Sequence, residues 1–293
     1  MNNKLKIWLM ASRLETLPAA VAPVFAGLSY AFHSGNFNFI VAFFTLFASI
    51  LIQIGTNFAN DVFDFEKGTD TEERLGLTRV TQAGLLSPKQ VKNAMIYTFF
   101  LSLLVGIYLS FVGGWLIVLI GSLAIISGIM YTGGPFPLGY NGLGDIFVII
   151  FFGVLAVPGT IHLQGGDFFN ITGLVIGVIM GLMADCILIV NNIRDSEIDI
   201  KTGKRTLAVI FGKKASKLQY LTFALIPFIL PIVIFFTAIP KISIFLVFFS
   251  FPICVKNIID IWTRSGKSLN PVLANTARLQ FFYTILLSLG III

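Results

Sequence analysis

Long runs of apolar residues, broken by short polar stretches, organise the whole chain. A bilayer-spanning helix needs roughly 20 mostly apolar residues. Nine segments qualify, near 16–34, 38–62, 91–111, 114–132, 143–162, 171–193, 217–238, 242–260 and 274–292. The seventh and eighth meet at a corner marked by Pro240. The longest polar stretches, 63–90 and 194–216, are too short for a soluble domain. The first run keeps Pro18 and Pro23 and leads into further spans, so it reads as a retained helix and not a signal peptide. The pattern predicts an all-α polytopic membrane protein of about nine transmembrane helices. It forms a single domain, 1–293, in two related halves, roughly 1–135 and 136–293.

Composition agrees with this reading. The 293 residues are 56% hydrophobic and only 12% charged, far from the balance of a soluble domain. With the amino terminus in the cytoplasm, nineteen of the twenty Lys and Arg residues fall on the cytoplasmic side and only Lys241 falls outside. The net charge of +6 is therefore a transmembrane asymmetry facing anionic lipid or an anionic substrate, and calls for no nucleic acid. The expected location is the cytoplasmic membrane, with the polar loops 63–90 and 194–216 inside. Cys186 and Cys254 both lie in apolar runs, and no CxxC or Cys/His cluster supports zinc or iron–sulfur chemistry.

Two acidic arrays change the picture. At the end of the second run, Asn57, Asp61 and Asp64 are spaced i, i+4, i+7, and Asn60 pairs with Asp64 at i, i+4. At the end of the sixth, Asn191, Asp195 and Asp199 are spaced i, i+4, i+8. Each array occupies one helical face. Carboxylates at helix C-termini face the negative end of the dipole, so they are not caps. Ionisable groups near membrane depth usually mark a functional path. Their recurrence four spans apart suggests two acidic faces meeting across a cavity. Carboxylate and amide oxygens suit Mg²⁺ or Ca²⁺. Lys67, Arg74 and Arg79 lie among the first acids, and Arg194, Lys201, Lys204 and Arg205 among the second. Acids for a metal with cations alongside form the combination that holds a diphosphate. Gly266-Lys267-Ser268 has a Walker-like ending, but Ile261 stands where the first glycine belongs.

The stretches RLETLPAAVAPVFAG (13–27), NFANDVFDFEKGTD (57–70), RVTQAGLLSPKQV (79–91), YTGGPFPLGYNGLGD (131–145) and NNIRDSEIDIKTGKRTLAV (191–209) carry a family resemblance. The chain resembles the UbiA-type intramembrane prenyltransferases, and within them the 1,4-dihydroxy-2-naphthoate polyprenyltransferases of menaquinone biosynthesis. The resemblance implies nine helices around a central cavity. It also implies Mg²⁺-dependent transfer of a polyprenyl group from its diphosphate to an aromatic acid. Carried over by position, it makes Asn60, Asp61, Asp64, Asn191, Asp195 and Asp199 the metal-binding set, to which spacing adds Asn57. The ubiquinone branch expects a further Asp where Gly68 stands; here the acid is Asp70, as in the naphthoate branch. Tyr131-Thr132-Gly133-Gly134 replaces that branch's Tyr-Pro motif.

The implied chemistry gives Asp64 and Asp195 the central catalytic places and assigns the seven cations above to the diphosphate. Tyr131, Tyr140 and Asp145, in the 131–145 stretch, are candidates to orient or deprotonate an acceptor hydroxyl. A Gly/Pro-built turn with interfacial tyrosines accounts for the same residues. Arg13 reads as a positive-inside anchor, and His33 and His162 fall near the outer face. Asp185 either faces the cavity or pairs with a neighbouring helix. A different acceptor ring (hydroxybenzoate, homogentisate or haem) would keep the same acidic arrays. An ion-coupled transporter would instead want its ionisable groups at mid-membrane on broken helices.

Overall fold

The computed structural model describes residues 3–70, 74–76 and 78–293. Among these, eight helical segments are long and apolar enough to cross a membrane. The helices are α1 (Asn3–Ser12), α2 (Leu17–His33), α3 (Phe39–Glu66), α4 (Pro88–Met130), α5 (Gly144–Ile149), α6 (Ala156–Leu163), α7 (Ile171–Lys201), α8 (Leu207–Ile210), α9 (Gly212–Thr237), α10 (Phe251–Thr263) and α11 (Asn270–Ile292).

The nine expected crossings and the eight segments are reconciled by α4. Its 43 residues would reach about 65 Å if straight, roughly twice the hydrocarbon thickness. It is not straight, because Gly114 takes φ 68° and ψ −163°, a conformation that favours glycine. Met95 and Phe99 before this break, and Ile125 and Ile129 after it, all pack around Phe58, Ala59 and Val62 of α3. The chain therefore doubles back at Gly114 and crosses twice. His162 Nε2 donates to the Gly113 carbonyl at 3.0 Å, which ties the hairpin tip to α6 and uses this histidine structurally.

The Gly144–Leu163 span also departs from a plain helix: a π turn, Ile150–Val154, joins α5 to α6. Pro158 lacks the N–H that would bond Val154, which helps the wider turn to persist. A Cβ at Gly153 would lie 2.4 Å from the Gly177 carbonyl oxygen, so this span presses backbone to backbone against α7. Helix α7 is the hub, with Ile176, Ile179, Met180, Met183 and Ile189 all buried in the main core. At the expected Pro240 corner, α9 stops at Thr237 and a 3₁₀ segment, Ile242–Ser250, leads into α10.

The two helices that carry the acidic arrays begin and end alike. Asn38 and Asn170 cap α3 and α7 with side-chain oxygens bonded to backbone N–H groups. At the other ends, Gly68 (φ 68°) and Gly203 (φ 76°) turn left-handed. Thr69 N then bonds Asp64 O at 3.0 Å, and Lys204 N bonds Asp199 O at 2.9 Å. Each helix thus closes in the same Schellman-type loop, four residues after an aspartate. This places Asp64 and Asp199 at equivalent positions, one turn from the polar end.

Candidate active site

Both closures open onto one cavity of about 1220 Å³. Its polar end is walled by Asn60, Asp64, Arg79, Asn191, Asp195, Asp199 and Lys204. Its far end is walled by apolar and small residues such as Leu109, Ile117, Gly121, Phe151 and Leu163. The space therefore runs from a charged mouth through an apolar shaft.

At the first array, the helical face splits its work. Asp64, only 1% exposed, accepts from Arg79 Nη2 at 2.7 Å and from the Tyr140 hydroxyl at 2.6 Å. Lys204 Nζ, from the second array's loop, lies 3.8 Å from the same carboxylate. Asp61 turns the other way: it accepts the backbone N–H groups of Val80 and Thr81 at 3.2 and 3.1 Å. It therefore holds the turn that follows Arg79 and aims that arginine at Asp64. Asn57 donates to Ser12 O and Thr16 Oγ1, both at 2.9 Å, and so secures the turn that presents Arg13. Asn60 lines the cavity and accepts from Thr132 Oγ1 at 3.0 Å.

At the second array, Arg194 grips Asp195 with two hydrogen bonds, Nη2 at 2.6 Å and Nε at 2.8 Å. Its Nη2 also reaches Asn191 Oδ1 at 2.6 Å. Asp199 faces the cavity from the Schellman-closed turn.

Between the arrays sits Asp70. Arg74 Nη1 lies 2.5 Å from it and Arg79 Nε 3.3 Å from it. Burial pushes the Asp70 carboxyl up, although Arg79 and Arg74 oppose the shift. Burial and the adjacent Arg79 lower Arg74. Burial also works against the charge on Arg79, but Asp64, Asp70 and Asp61 outweigh it and raise the group. Burial, then Asp64, raises Tyr140; burial, then Asp145, raises Tyr131. Both shifts favour the protonated phenol, and Tyr140 is seen donating to Asp64. Tyr140 also lies between two cations, with Lys67 Nζ 4.9 Å and Lys204 Nζ 4.7 Å from its ring centroid.

Five expected residues lie outside the cavity wall. Asp61 is consumed by backbone amides, and Lys67 donates to Thr132 O at 2.6 Å. Lys201, the last residue of α7, and Arg205, in the loop beyond it, are both exposed. Asp145, expected to serve the acceptor, is instead buried behind the wall and accepts from Gln219 Nε2 at 2.9 Å. The same amide lies 3.5 Å from Asp185, so Asp185 pairs with the neighbouring α9.

Arg13 departs from the anchor role in the opposite direction. It lines the cavity, and its Nη2 is buried without a hydrogen-bond partner. It is also the only non-glycine residue at positive φ among those described (48°). Arg79 Nη1 is likewise buried and unpartnered. Asn270 and Thr69 complete the site through hydrogen bonds to Arg194 and Tyr140. A hard-oxygen set at the mouth, backed by two guanidinium groups with unspent donors, fits a divalent cation together with a diphosphate.

Residues 20–286 match the profile of the UbiA prenyltransferase family. The chain is 37% identical to the 1,4-dihydroxy-2-naphthoate octaprenyltransferase of Haemophilus influenzae, a match covering 100% of this chain and 97% of that one. It is 38% identical to the enzyme of the same name from Escherichia coli over 72% of this chain and 70% of that one. In three dimensions it is similar to a UbiA homolog from Archaeoglobus fulgidus bound to DMAPP and Mg²⁺. That likeness has a TM-score of 0.66 at 17% identity, covering 96% of this chain and 99% of that one. The acidic helix ends, the shared cavity and these similarities lead to one statement of kinship: the chain belongs to the UbiA prenyltransferase family.

Proposed function

We propose that this protein transfers a polyprenyl group from polyprenyl diphosphate to 1,4-dihydroxy-2-naphthoate, with Mg²⁺ as cofactor, at the cytoplasmic face of the inner membrane. The observation that carries this reading is the amphipathic cavity. Its acidic, arginine-backed mouth matches a diphosphate, and its apolar shaft matches an isoprenoid tail. Near-full-length similarity to naphthoate prenyltransferases favours the naphthoate acceptor. The clustering of acids at one end of the bundle, with Asp185 paired to α9, fits an enzyme better than a transporter with mid-membrane ion sites.

Among the described residues no three acidic side chains gather closely enough to cage a metal by themselves. Asp64 with Asn60 on one side, and Asp195 and Asp199 with Asn191 on the other, would therefore each supply only part of the shell of Mg²⁺, which when bound neutralises charge on the departing diphosphate. Arg13, Arg79 and Lys204 supply fixed positive charge at the same end and need not reorganise as charge develops. As the allylic C–O bond breaks, its electron pair leaves with the diphosphate. The ring carbon that bears the carboxylate then forms the new C–C bond. Loss of that carboxylate as CO₂ returns the electron pair to the ring. The apolar shaft keeps water from the cation.

The reading is tested with purified protein, Mg²⁺, a polyprenyl diphosphate, and equal dihydroxynaphthoate and hydroxybenzoate, followed by mass spectrometry. Prenylated, decarboxylated naphthoquinol with matching diphosphate release is expected. A prenylated benzoate would reassign the acceptor, and no diphosphate release would sink the enzyme reading.

The shaft gives a second test. Gly106 and Gly121 line it, and a Cβ at either would have no heavy-atom neighbour within 4 Å. They lie eight and seven residues from the Gly114 turn, hence at a similar depth, about 10–12 Å from the hairpin tip. Gly121→Phe should lower kcat/KM about tenfold for octaprenyl diphosphate and much less for geranyl diphosphate, as expected for a steric block of about 1.4 kcal/mol. An unchanged preference would mean that the tail takes another path.

A further inference from the structure

Arg194 was expected to hold phosphate, and four of its five N–H donors are already engaged within the protein. Beyond its three bonds to Asp195 and Asn191, Nη1 donates to Asn270 Oδ1 at 2.9 Å. Its side chain is 3% exposed. Asn270 opens α11, the last crossing, and its other amide atom, Nδ2, donates to the Leu75 carbonyl at 2.9 Å. Gly76 closes the contact from above: a Cβ there would lie 2.5 Å from Arg194 Nη2. Any larger residue there would push this guanidinium aside.

One amide therefore touches two parts of the site. Its oxygen fixes the arginine that holds Asp195, and its nitrogen fixes Leu75, next to Arg74, which lines the same cavity. We propose that Asn270 is a positioning residue that couples the seating of Arg74, Leu75 and Gly76 to the orientation of Asp195. A diphosphate-binding cation from one half and the carboxylate of the other are then set together. The inference rests on the reading of these groups as the Mg²⁺–diphosphate end of a prenyltransferase. An amide is suited to the task because it accepts from Arg194 and donates to Leu75 at once. A carboxylate can do only the first.

That asymmetry supplies the experiment. Asn270→Ala removes both contacts, whereas Asn270→Asp keeps an acceptor for Arg194 and loses the donor to Leu75. Full-length wild type and both variants are followed by hydrogen exchange of the 74–76 amides and by transfer kinetics over a Mg²⁺ titration. In both variants, exchange of these amides should accelerate at least about tenfold. The kcat/KM for the polyprenyl diphosphate should fall about tenfold, as for loss of one hydrogen bond to a positioned group. Half-saturation should shift to higher Mg²⁺, while KM for the aromatic acid stays put. Faster exchange with wild-type kinetics would overturn the coupling and leave Asn270 a purely structural tie. Slower turnover with wild-type exchange would overturn it equally. A wild type without Mg²⁺-dependent transfer would overturn the functional reading instead, with the exchange arm still deciding whether the latch exists.

Discussion

Asp64→Asn should reduce prenyl transfer by a factor of about a thousand or more while leaving a folded protein in the membrane. The substitution is isosteric and keeps an oxygen for the Tyr140 hydroxyl, but it removes the charge that Arg79 and Lys204 share. A neutral amide cannot replace a carboxylate in a hard-oxygen set that must hold a divalent cation against a diphosphate. Asp195→Asn should behave similarly, since Arg194 would lose its charged partner. Asp61→Asn is the contrast. Its carboxylate serves the Val80 and Thr81 amides, so its loss should cost about 1 kcal/mol of stability and act on turnover only through the placement of Arg79. Steady-state rates, gel filtration and thermal unfolding in detergent distinguish the three. Activity within tenfold of wild type in both Asp64→Asn and Asp195→Asn would refute the metal assignment.

The contrast between Asp61 and Asp64 shows where sequence reasoning stops. Helical periodicity places both on one face, because 3.6 residues per turn is a local property. Which one faces the cavity depends on where the 79–84 turn docks, and that turn is distant in sequence. The partners of Asn57 were hidden for the same reason: it lines the cavity, but its amide nitrogen is held by Ser12 and Thr16, on other elements. The crossings were legible, including both halves of α4, because the bilayer imposes length and apolarity on each segment separately. The matched closures were also open to reading, since Asp64-x-x-x-Gly68 and Asp199-x-x-x-Gly203 repeat one spacing at two helix ends. Asn270 left no such trace. It meets Leu75 across 195 positions, and no pattern within α11 marks it.

Arg79→Leu should be the most destabilising single change at the site, at about 3–5 kcal/mol. The Arg79 side chain is 6% exposed and spans two carboxylates that are each 1% exposed, with Nη2 on Asp64 and Nε toward Asp70. Removing it leaves both acids buried, with Lys204 at 3.8 Å and Arg74 as the remaining cations. Two like charges in a poorly solvated pocket then repel one another, and the cheapest escape is protonation of one of them. The variant should therefore recover stability as pH falls. The Asp70 carboxyl is already raised by burial, and losing Arg79 would raise it further above its unfolded value. A carboxyl whose folded-state pKa is raised leaves the deficit fully present above the shifted value; the deficit shrinks as pH falls from there and is gone below the unfolded value. Arg79→Lys restores a charge but not the fork, so it should regain most of the stability and little of the activity. Thermal unfolding of wild type, Arg79→Leu and Arg79→Lys between about pH 3.5 and about pH 8 measures this, a range that straddles ordinary and raised carboxylates. A pH-independent deficit in Arg79→Leu would mean that the lost packing of the arginine stem, and not the stranded charge, is what the pocket cannot tolerate.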